Sequence, residues 1–319
     1  MKYDVIIVGG ACAGLTAGLY AGRRALKALI ITKDIGGQAA ITTEIENYPG
    51  TGNIGGPVLM NKFKEQAEKA GAEIKFAEVM KIEKNNDGFV VKTTDGDLEA
   101  LTVILAFGLK HREIGVPGER ELTGRGVTYC ATCDGPLFKG KTVAVVGGGN
   151  SAFDAADYLG EMCENVYLIH HSDQYRAEKP LIEAVQAKVN IEILNFTKVN
   201  QVVGEKKLEK VIIENVKDNS TKELPLNGLF IEIGYQTQTD FVKELVNLDE
   251  RGYIITDNQG LTSVPGVFAA GDVTNTPYKQ VVISAGEGAK AALSAAKYVQ
   301  NLKGATAVAA TPDWTRRKR

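Results

Sequence analysis

Residues 2–14 read KYDVIIVGGACAG, and this stretch decides the fold. The β-branched run Lys2–Val8 predicts a buried strand, followed by a helix of small residues over about 13–24 and a second strand at Ala28–Thr32. A glycine-rich turn between strand and helix is typical of dinucleotide binding, because glycine permits a tight bend and the close approach of a pyrophosphate. The helix N-terminus then offers free N–H groups to the phosphates. The stretch therefore predicts a nucleotide-binding βαβ unit.

The same pattern occurs a second time. Residues 147–152 read GGGNSA and lie between a predicted strand, Thr142–Val146, and a helix that continues to about Gly160. A strand at Asn165–Ile169 closes this second unit. One glycine turn alone could serve only the packing of helix on strand. Two turns, each between a strand and a helix, favour a pair of dinucleotide sites.

Both turns depart in detail from the dinucleotide-binding pattern. Ala11 stands at the middle glycine position of the first turn, and it can hold the bend only with a negative φ. Ala152 stands at the last position of the second turn, where alanine is an accepted variant. An acid at the end of the second strand normally binds the ribose 2′-OH. Thr32 and His170 occupy those two positions, so neither copy has that acid.

The composition limits the class of protein. A length of 319 residues suggests two domains of roughly 150 residues each, and 44% hydrophobic residues are enough for large cores. The net charge of −2 argues against nucleic acid or an anionic membrane as a partner. No run approaches the ~18 apolar residues of a membrane span, and none resembles a signal peptide. We therefore expect a cytoplasmic protein, in which structural disulfides are rare.

The remaining sequence alternates between helical and strand patterns. Helices are predicted over 57–71, 177–189 and about 281–299, and a strand-rich stretch over 73–107. Turns are predicted at Asp218-Asn219 and Asn227-Gly228. The residues from Ala305 onward have little pattern, which predicts a solvated terminus rather than a docking element.

Cys130 and Cys133 form a Cys-x-x-Cys pair that Asp134 follows directly. This spacing suits a disulfide or two metal ligands. A zinc site would need two further ligands, and no second such pair and no ligand-spaced histidines are present, so we predict no metal site. Two buried cysteines without a function are the remaining alternative. A redox-active pair is favoured, because Asp134 can carry the proton that thiol–disulfide exchange needs. Cys12 and Cys163 are predicted to be small buried residues that fill space in the core rather than reactive groups.

Five motifs together carry a family resemblance: Gly36-Gly37-Gln38, Glu46–Gly50, Cys130–Gly135, Gly147–Ala152 and Gly266–Val273. In this order and spacing, the chain resembles the low-molecular-weight thioredoxin reductases of bacteria and archaea over about residues 1–303. The resemblance implies an α/β fold with two Rossmann-like, three-layer ββα dinucleotide-binding domains, the second inserted into the first. It implies an FAD-binding domain at 1–113 and 241–319, and a nicotinamide-nucleotide domain at 114–240 that carries the cysteine pair. Hinges would fall near 115–118 and 234–235.

The resemblance also assigns binding residues by position. For FAD these are Gly9, Gly10, Ala11, Ala13, Gly14, Thr32, Gly37, Gln38, Asn47, Val79, Gly271, Asp272, Lys279, Gln280 and Val281. Gly37 and Asn47 could instead be simple turn residues. For the nicotinamide nucleotide they are Gly147, Gly149, Asn150, Ser151, Ala152, His171, Ser172 and Arg176.

The implied activity is the reduction of a protein disulfide. Electrons would pass from a donor through FAD to the Cys130–Cys133 disulfide, and then to thioredoxin or a glutaredoxin-like protein. Cys133 would face the flavin, Cys130 would attack the partner, and Asp134 would supply or accept the proton. Family members rotate the inserted domain between two arrangements during this cycle, and they form homodimers.

The electron donor is the point at which the sequence departs from the family. Members that use NADPH carry two adjacent arginines and a third for the 2′-phosphate, since a guanidinium suits that anion. His171 and Ser172 replace the adjacent pair, and Arg176 alone remains. We therefore expect a weak preference for NADPH, with NADH, ferredoxin or a deazaflavin as other donors. The second glycine turn could also be kept for packing only. Phe107 and Thr237 replace a usual Thr and Pro.

Two other functions fit the same motifs. The cysteine pair could work in reverse, as a dithiol oxidase that acts on a small molecule and passes electrons to oxygen. The chain could also be a flavin-bound redox sensor without turnover. Ferredoxin–NADP reductases of similar fold are disfavoured, because they lack the cysteine pair.

Overall fold

The computed structural model describes residues 2–42 and 44–304, and the predicted solvated terminus from Ala305 lies outside them. The chain divides into two compact units. The first combines a segment that ends at Ala39, the segment Leu59–Gly108 and a segment that begins at Thr237. The second combines Ala40–Val58 and Leu109–Gln236. The predicted domain bounds stay a prediction; they placed 40–58 in the first domain, whereas the structure groups it with the second unit.

The strands and helices have the following bounds. The strands are β1 (Lys2–Val8), β2 (Ala28–Thr32), β3 (Glu73–Phe76), β4 (Val79–Asn85), β5 (Gly88–Thr93), β6 (Gly96–Leu105), β7 (Lys110–His111), β8 (Val127–Thr128), β9 (Thr142–Val146), β10 (Asn165–Ile169), β11 (Ile191–Leu194), β12 (Thr197–Val203), β13 (Lys210–Asn215), β14 (Thr221–Pro225), β15 (Gly228–Ile231), β16 (Tyr235–Gln236) and β17 (Val267–Ala269). The helices are α1 (Cys12–Arg23), α2 (Gly56–Lys69), α3 (Ala131–Asp134), α4 (Asn150–Gly160), α5 (Lys179–Ala187) and α6 (Val281–Leu302), with 3₁₀ turns at Gly37–Ala40 and Gly135–Phe138.

The first unit is built on a seven-stranded sheet. Its order is β3-β2-β1-β6-β5-β4, and β17 also pairs with β6. Strands β3, β2, β1, β6 and β17 run parallel, whereas β4, β5 and β6 pair antiparallel. Successive residues of a strand face opposite sides. Val5 and Ile7 therefore join the core beneath α1 and α6, and Ile6 and Val8 join the core on the other face with Phe89.

The second unit repeats this layering. Its five parallel strands have the order β11-β10-β9-β15-β8. Val143 and Val145 of β9 pack with Phe153 of α4 on the helical side. Ala144 faces the opposite side, where Val211 and the rest of the antiparallel sheet β12-β13-β14 complete a second core. The prediction of an α/β fold with two Rossmann-like three-layer units is confirmed.

Two sequence predictions need correction. The helix predicted over 177–189 is shorter, since it begins at Lys179 with Pro180 in its first turn and ends where Lys188 turns extended at φ −83° and ψ 126°. The turn predicted at Asn227-Gly228 is shorter, because Asn227 forms a bend but Gly228 already begins the buried strand β15. A Cβ on Gly228 would lie 2.7 Å from the Phe138 ring, so packing explains this glycine. Among the described helices, none is both long and apolar enough to cross a membrane.

Candidate functional site

The first glycine turn connects β1 to α1 and depends on residues without a side chain. Gly9 has φ +117°, and a Cβ there would lie 2.2 Å from the carbonyl oxygen of Ala106. A Cβ on Gly14 would lie 1.9 Å from the carbonyl oxygen of Gly9, so α1 crosses directly over the turn. Ala11 has φ −107°, so the bend is compatible with alanine at this position. Both glycines are therefore required by close backbone packing.

Three loops surround this turn and bring several predicted FAD residues together. Thr32 lies against Gly10, where an added Cβ would approach its side chain to 2.7 Å. A Cβ added to Gly37 would lie 3.4 Å from the Ala11 Cβ. A Cβ added to Gly271 would lie 2.9 Å from the Ala13 Cβ. The surface formed by the first glycine turn, Gly37 and Gly271, which we call the site floor, therefore consists of small residues and backbone.

Asp272 lies at one end of this floor. Its Oδ1 accepts a hydrogen bond of 2.9 Å from the Ser284 hydroxyl, and burial raises the pKa of its carboxyl. Burial also lowers the pKa of Lys279, whose Nζ donates to the carbonyl oxygen of Thr274 at 2.8 Å. Glu287 of α6 holds the loop, because its carboxylate accepts from the Gly271 N–H at 2.8 Å. The loop that presents Asp272 is thus fixed from two sides.

These residues fit an FAD dinucleotide. The N-cap of α1 is Ala11, which provides no side-chain hydrogen bond, so the N-terminal N–H groups point at the glycine turn without a side-chain cap. Gln38 lies in the 3₁₀ turn after Gly37, and Gln280 and Val281 begin α6. Val79 begins β4 in the same unit, whereas Asn47 belongs to the segment grouped with the second unit. The Thr32 hydroxyl donates to the carbonyl oxygen of Asp34 at 2.6 Å.

The second glycine turn connects β9 to α4 and has open space beside it. Gly147 has φ +152°. It packs closely against Ala152, since a Cβ added to Gly147 would lie 2.7 Å from the Ala152 Cβ. Gly149 is the N-cap of α4 without a side-chain cap, and a Cβ there would meet no described atom within 4 Å. Asn150 exchanges hydrogen bonds with Glu178, and Ser151 is exposed in the first turn. The turn keeps the geometry that a nucleotide phosphate needs.

The loop after β10 lies next to the second glycine turn. The His170 imidazole packs on Gly148, where an added Cβ would lie 2.3 Å from the ring. The Ser172 hydroxyl lies 3.1 Å from His170 Nε2. His171 and Arg176 are exposed, and the Arg176 N–H donates to the Gly148 carbonyl oxygen at 2.7 Å. Arg176 is thereby anchored beside the second glycine turn.

The cysteine pair lies in the second unit, between β8 and β9. A disulfide joins Cys130 to Cys133, with Cα atoms 5.3 Å apart. Cys130 is the N-cap of the short helix α3, and its Sγ accepts the Cys133 N–H at 3.2 Å. Both residues are half-buried, so the disulfide retains contact with solvent. Cys12 and Cys163 are free and buried, as predicted.

Asp134 ends α3 directly after the disulfide. Its Oδ2 accepts a hydrogen bond from the hydroxyl of Thr128, the last residue of β8. Its Oδ1 is buried and has no hydrogen-bond partner among the described residues. Burial therefore raises the pKa of this carboxyl above its ordinary value, although the Thr128 bond lowers it. A carboxylic acid beside a disulfide can move the proton of a thiol exchange.

Sequence reasoning missed two acids beside the cysteine pair. Glu232 follows β15, and its Oε1 accepts from the Ala131 N–H of α3 at 3.3 Å. Glu119 is buried and accepts from the hydroxyl of Tyr129, the neighbour of Cys130, at 3.0 Å. No group of three or more His, Cys, Asp or Glu side chains within residues 2–42 and 44–304 is arranged to hold a metal ion.

Comparison with known proteins gives one consistent family. The family model of the pyridine nucleotide-disulphide oxidoreductases matches residues 3–307. A thioredoxin reductase of Treponema pallidum is 42% identical over 303 residues, which are 94% of this chain and 98% of that protein. The crystal structure of thioredoxin reductase from Streptococcus pyogenes has a TM-score of 0.91 at 41% identity, covering 94% of this chain and 99% of the other. The thioredoxin reductase from Giardia duodenalis has a TM-score of 0.87 at 36% identity, covering 93% and 99%.

The matches extend over both glycine turns and the cysteine pair, and they confirm the resemblance to the thioredoxin reductases. The chain therefore belongs to the pyridine nucleotide-disulphide oxidoreductase family.

Proposed function

We propose that this chain is an FAD-dependent disulfide reductase whose substrate is thioredoxin or a similar protein disulfide. One observation carries the proposal: a half-buried Cys130–Cys133 disulfide lies beside Asp134, a carboxyl with a raised pKa and a buried oxygen that has no hydrogen-bond partner within the described part of the chain. An acid with this environment retains its proton at a pH where an ordinary aspartate has lost it. The relatives named thioredoxin reductase support the identity of the substrate.

Bound FAD would supply a two-electron carrier, held by the first glycine turn with Gly37, Gly271 and Asp272. The chain's own residues would then perform thiol exchange. Two electrons and two protons first open the Cys130–Cys133 disulfide to two thiols. The Cys130 thiolate then attacks one sulfur of the substrate disulfide, which forms a mixed disulfide, and the released substrate sulfur takes a proton. The Cys133 thiol loses its proton and attacks Cys130 Sγ, which re-forms the Cys130–Cys133 bond, breaks the mixed disulfide and releases the second substrate sulfur, which takes a proton. The substrate leaves as a dithiol, having gained two electrons and two protons.

Asp134 would donate and accept the proton in this exchange. Its raised pKa suits a group that donates a proton to a leaving thiolate and recovers one from the Cys133 thiol. The Thr128 hydroxyl orients the carboxyl through Oδ2, which leaves Oδ1 as the atom that carries the proton.

A nicotinamide nucleotide is the donor class that the second glycine turn supports, since the N-cap of α4 is Gly149, which has no side chain to bond the first N–H groups and has open space beside it. We expect little preference for NADPH over NADH. His170 and Ser172 bond to each other, so Arg176 is the cation that remains for a 2′-phosphate. Ferredoxin and a deazaflavin are the other donors to test. The homodimer and the cytoplasmic location stay predictions from the sequence.

One experiment tests the function. The purified flavoprotein is mixed anaerobically with NADH, NADPH or reduced ferredoxin, flavin bleaching is recorded, and oxidised thioredoxin is then added. We expect bleaching by a donor and thioredoxin-dependent recovery of the flavin absorbance. The Cys130→Ser variant should lose the recovery, whereas Cys163→Ala, which changes a buried free cysteine, should keep it.

Two outcomes would contradict the proposal. Full thioredoxin reduction by Cys130→Ser would exclude the exchange mechanism. Bleaching by small dithiols alone, with oxygen uptake and no response to thioredoxin, would instead identify a dithiol oxidase.

A further inference from the structure

Glu232 connects the end of β15 to the redox-active helix α3. Its backbone N–H donates to the Val146 carbonyl oxygen at 2.9 Å, which fixes its position beside the second glycine turn. Its Oε1 accepts from the Ala131 N–H at 3.3 Å. Ala131 follows Cys130 directly and begins α3, so this carboxylate lies at the first N–H of the helix that Cys130 caps. It approaches the cysteine pair from the end of β15, whereas Asp134 lies on α3 itself.

The surroundings of Glu232 disfavour its ionised form. Burial raises the pKa of its carboxyl to about 7, and the charge of Asp154 on α4 adds to the increase, whereas the Ala131 N–H opposes it. Asp154 is the charged side chain that faces Glu232 from α4. Among the described residues, α3 and β9 bond to Glu232 through backbone groups, the N–H of Ala131 and the carbonyl oxygen of Val146. Glu232 therefore changes charge within the physiological pH range.

We propose that Glu232 is a positioning residue for the Cys130 thiol: its carboxyl holds the first N–H of α3 and, when ionised, opposes formation of the Cys130 thiolate. This inference rests on the proposed function, because it concerns the thiolate that attacks the substrate disulfide. Ala131 follows Cys130 directly, so an ionised Glu232 at the Ala131 N–H is a negative charge beside the Cys130 residue. Such a charge raises the free energy of the thiolate and so raises the pKa of that thiol. Reactivity of Cys130 would then respond to pH through Glu232 as well as through its own ionisation.

The test measures the Cys130 thiol itself rather than turnover. In a Cys133→Ser background, the flavoprotein is reduced and alkylated with iodoacetamide over a range of pH, and labelling of Cys130 is followed by mass spectrometry. The remaining cysteines give little background, because burial raises the pKa of Cys12 to about 12 and that of Cys163 to about 11. Glu232→Gln keeps a carbonyl oxygen for the Ala131 N–H but removes the charge. Glu192→Gln on β11 is the matched control, since Glu192 is exposed.

We expect Glu232→Gln to lower the pKa of Cys130 by about one unit where Glu232 would be ionised, which is about tenfold faster labelling above about pH 7 while Cys130 is still mostly protonated. Below that pH, where Glu232 is protonated, the two labelling rates should converge. The pH profile of the variant should also lack the inflection near pH 7 that we expect in the parent. Glu192→Gln should match the parent. A Glu232→Gln profile that superimposes on the parent would overturn the proposal.

A second variant covers the case in which Glu232→Gln does not fold. Asp154→Asn removes the facing charge, so the inflection should move to lower pH; an unmoved inflection would contradict the assignment to Glu232. These outcomes are separate from the proposed function. A labelling shift without thioredoxin reduction would reject the substrate alone, whereas thioredoxin reduction without a shift would reject the role of Glu232 alone.

Discussion

Replacement of Glu119 should destabilise the second unit more than any exposed substitution. This side chain is 1% exposed, and both of its oxygens accept hydrogen bonds. Oε1 accepts from the Ile114 N–H at 2.9 Å and from the Tyr129 hydroxyl at 3.0 Å. Oε2 accepts from the N–H groups of Gly115 at 2.7 Å and Val116 at 3.3 Å. One carboxylate thus ties the segment 114–116 to the residue before Cys130.

The magnitude follows from these four bonds. A hydrogen bond to a charged group contributes about 1.5–3 kcal/mol net, but water can reach part of the freed loop backbone, so we expect about 3 kcal/mol for Glu119→Ala. Glu119→Gln should cost about as much, since its NH₂ group would face N–H donors. Tyr129→Phe removes one donor to the same carboxylate and should cost about 1.5 kcal/mol. Burial raises the pKa of the Tyr129 phenol, so its hydroxyl remains a donor throughout the working pH range.

Urea denaturation of the flavoprotein, followed by circular dichroism, measures these differences. Glu121→Ala is the control, because Glu121 is exposed two positions along the chain. The double variant Glu119→Ala with Tyr129→Phe should lose less than the sum of the single losses, since the two residues share one hydrogen bond. A Glu119→Ala loss no larger than the control, or strictly additive losses, would refute the reasoning.

Three further predictions concern the glycine turns and Glu232. Gly14→Ala should give protein without visible flavin absorbance, because its Cβ would lie 1.9 Å from the Gly9 carbonyl oxygen, whereas Gly286→Ala, in open space, should keep the flavin. Arg176→Ala should raise KM for NADPH by about fivefold, as the loss of about 1 kcal/mol implies, and leave KM for NADH unchanged; equal effects on both would contradict a phosphate contact. Burial raises the pKa of Glu232 from its ordinary value of 4.5 to about 7. The folded state therefore loses stability as the pH rises from 4.5 through about 7. Glu232→Gln should remove about 3 kcal/mol of that loss, measured by urea denaturation at the two ends of this range.

The strands of both βαβ units could be predicted to the residue because short β-branched runs are bounded by glycine turns. Lys2–Val8, Ala28–Thr32, Thr142–Val146 and Asn165–Ile169 are all observed as predicted. Helix ends were less accurate, since local backbone conformation decides them. Gly228 shows the same limit, because pairing within a buried parallel strand outweighed the turn preference of an Asn-Gly dipeptide.

The site was predictable where its chemistry is local in sequence. Asp134 follows the cysteine pair, and the glycines of each turn are consecutive. Glu232 lies 101 residues from Ala131, and the parallel pairing of β8 with β15 brings the two together, so no spacing rule could identify it. Glu119 had a local signal that was missed: a carboxylate after a glycine- and proline-containing bend can accept the N–H groups of that bend.

The two glycine turns share one packing arrangement that bears on the donor. Thr32, the last residue of β2, packs against Gly10 of the first turn. His170, the residue after β10, packs against Gly148 of the second turn in the same way. Burial lowers the pKa of His170, so a neutral imidazole occupies this position at neutral pH and adds no attraction for a phosphate. Because the Ser172 hydroxyl already bonds to His170 and to the Gln174 carbonyl oxygen, a 2′-phosphate would gain little from it. We therefore expect any discrimination between NADPH and NADH to depend on the exposed side chains of His171 and Arg176, where solvent weakens every charge contact.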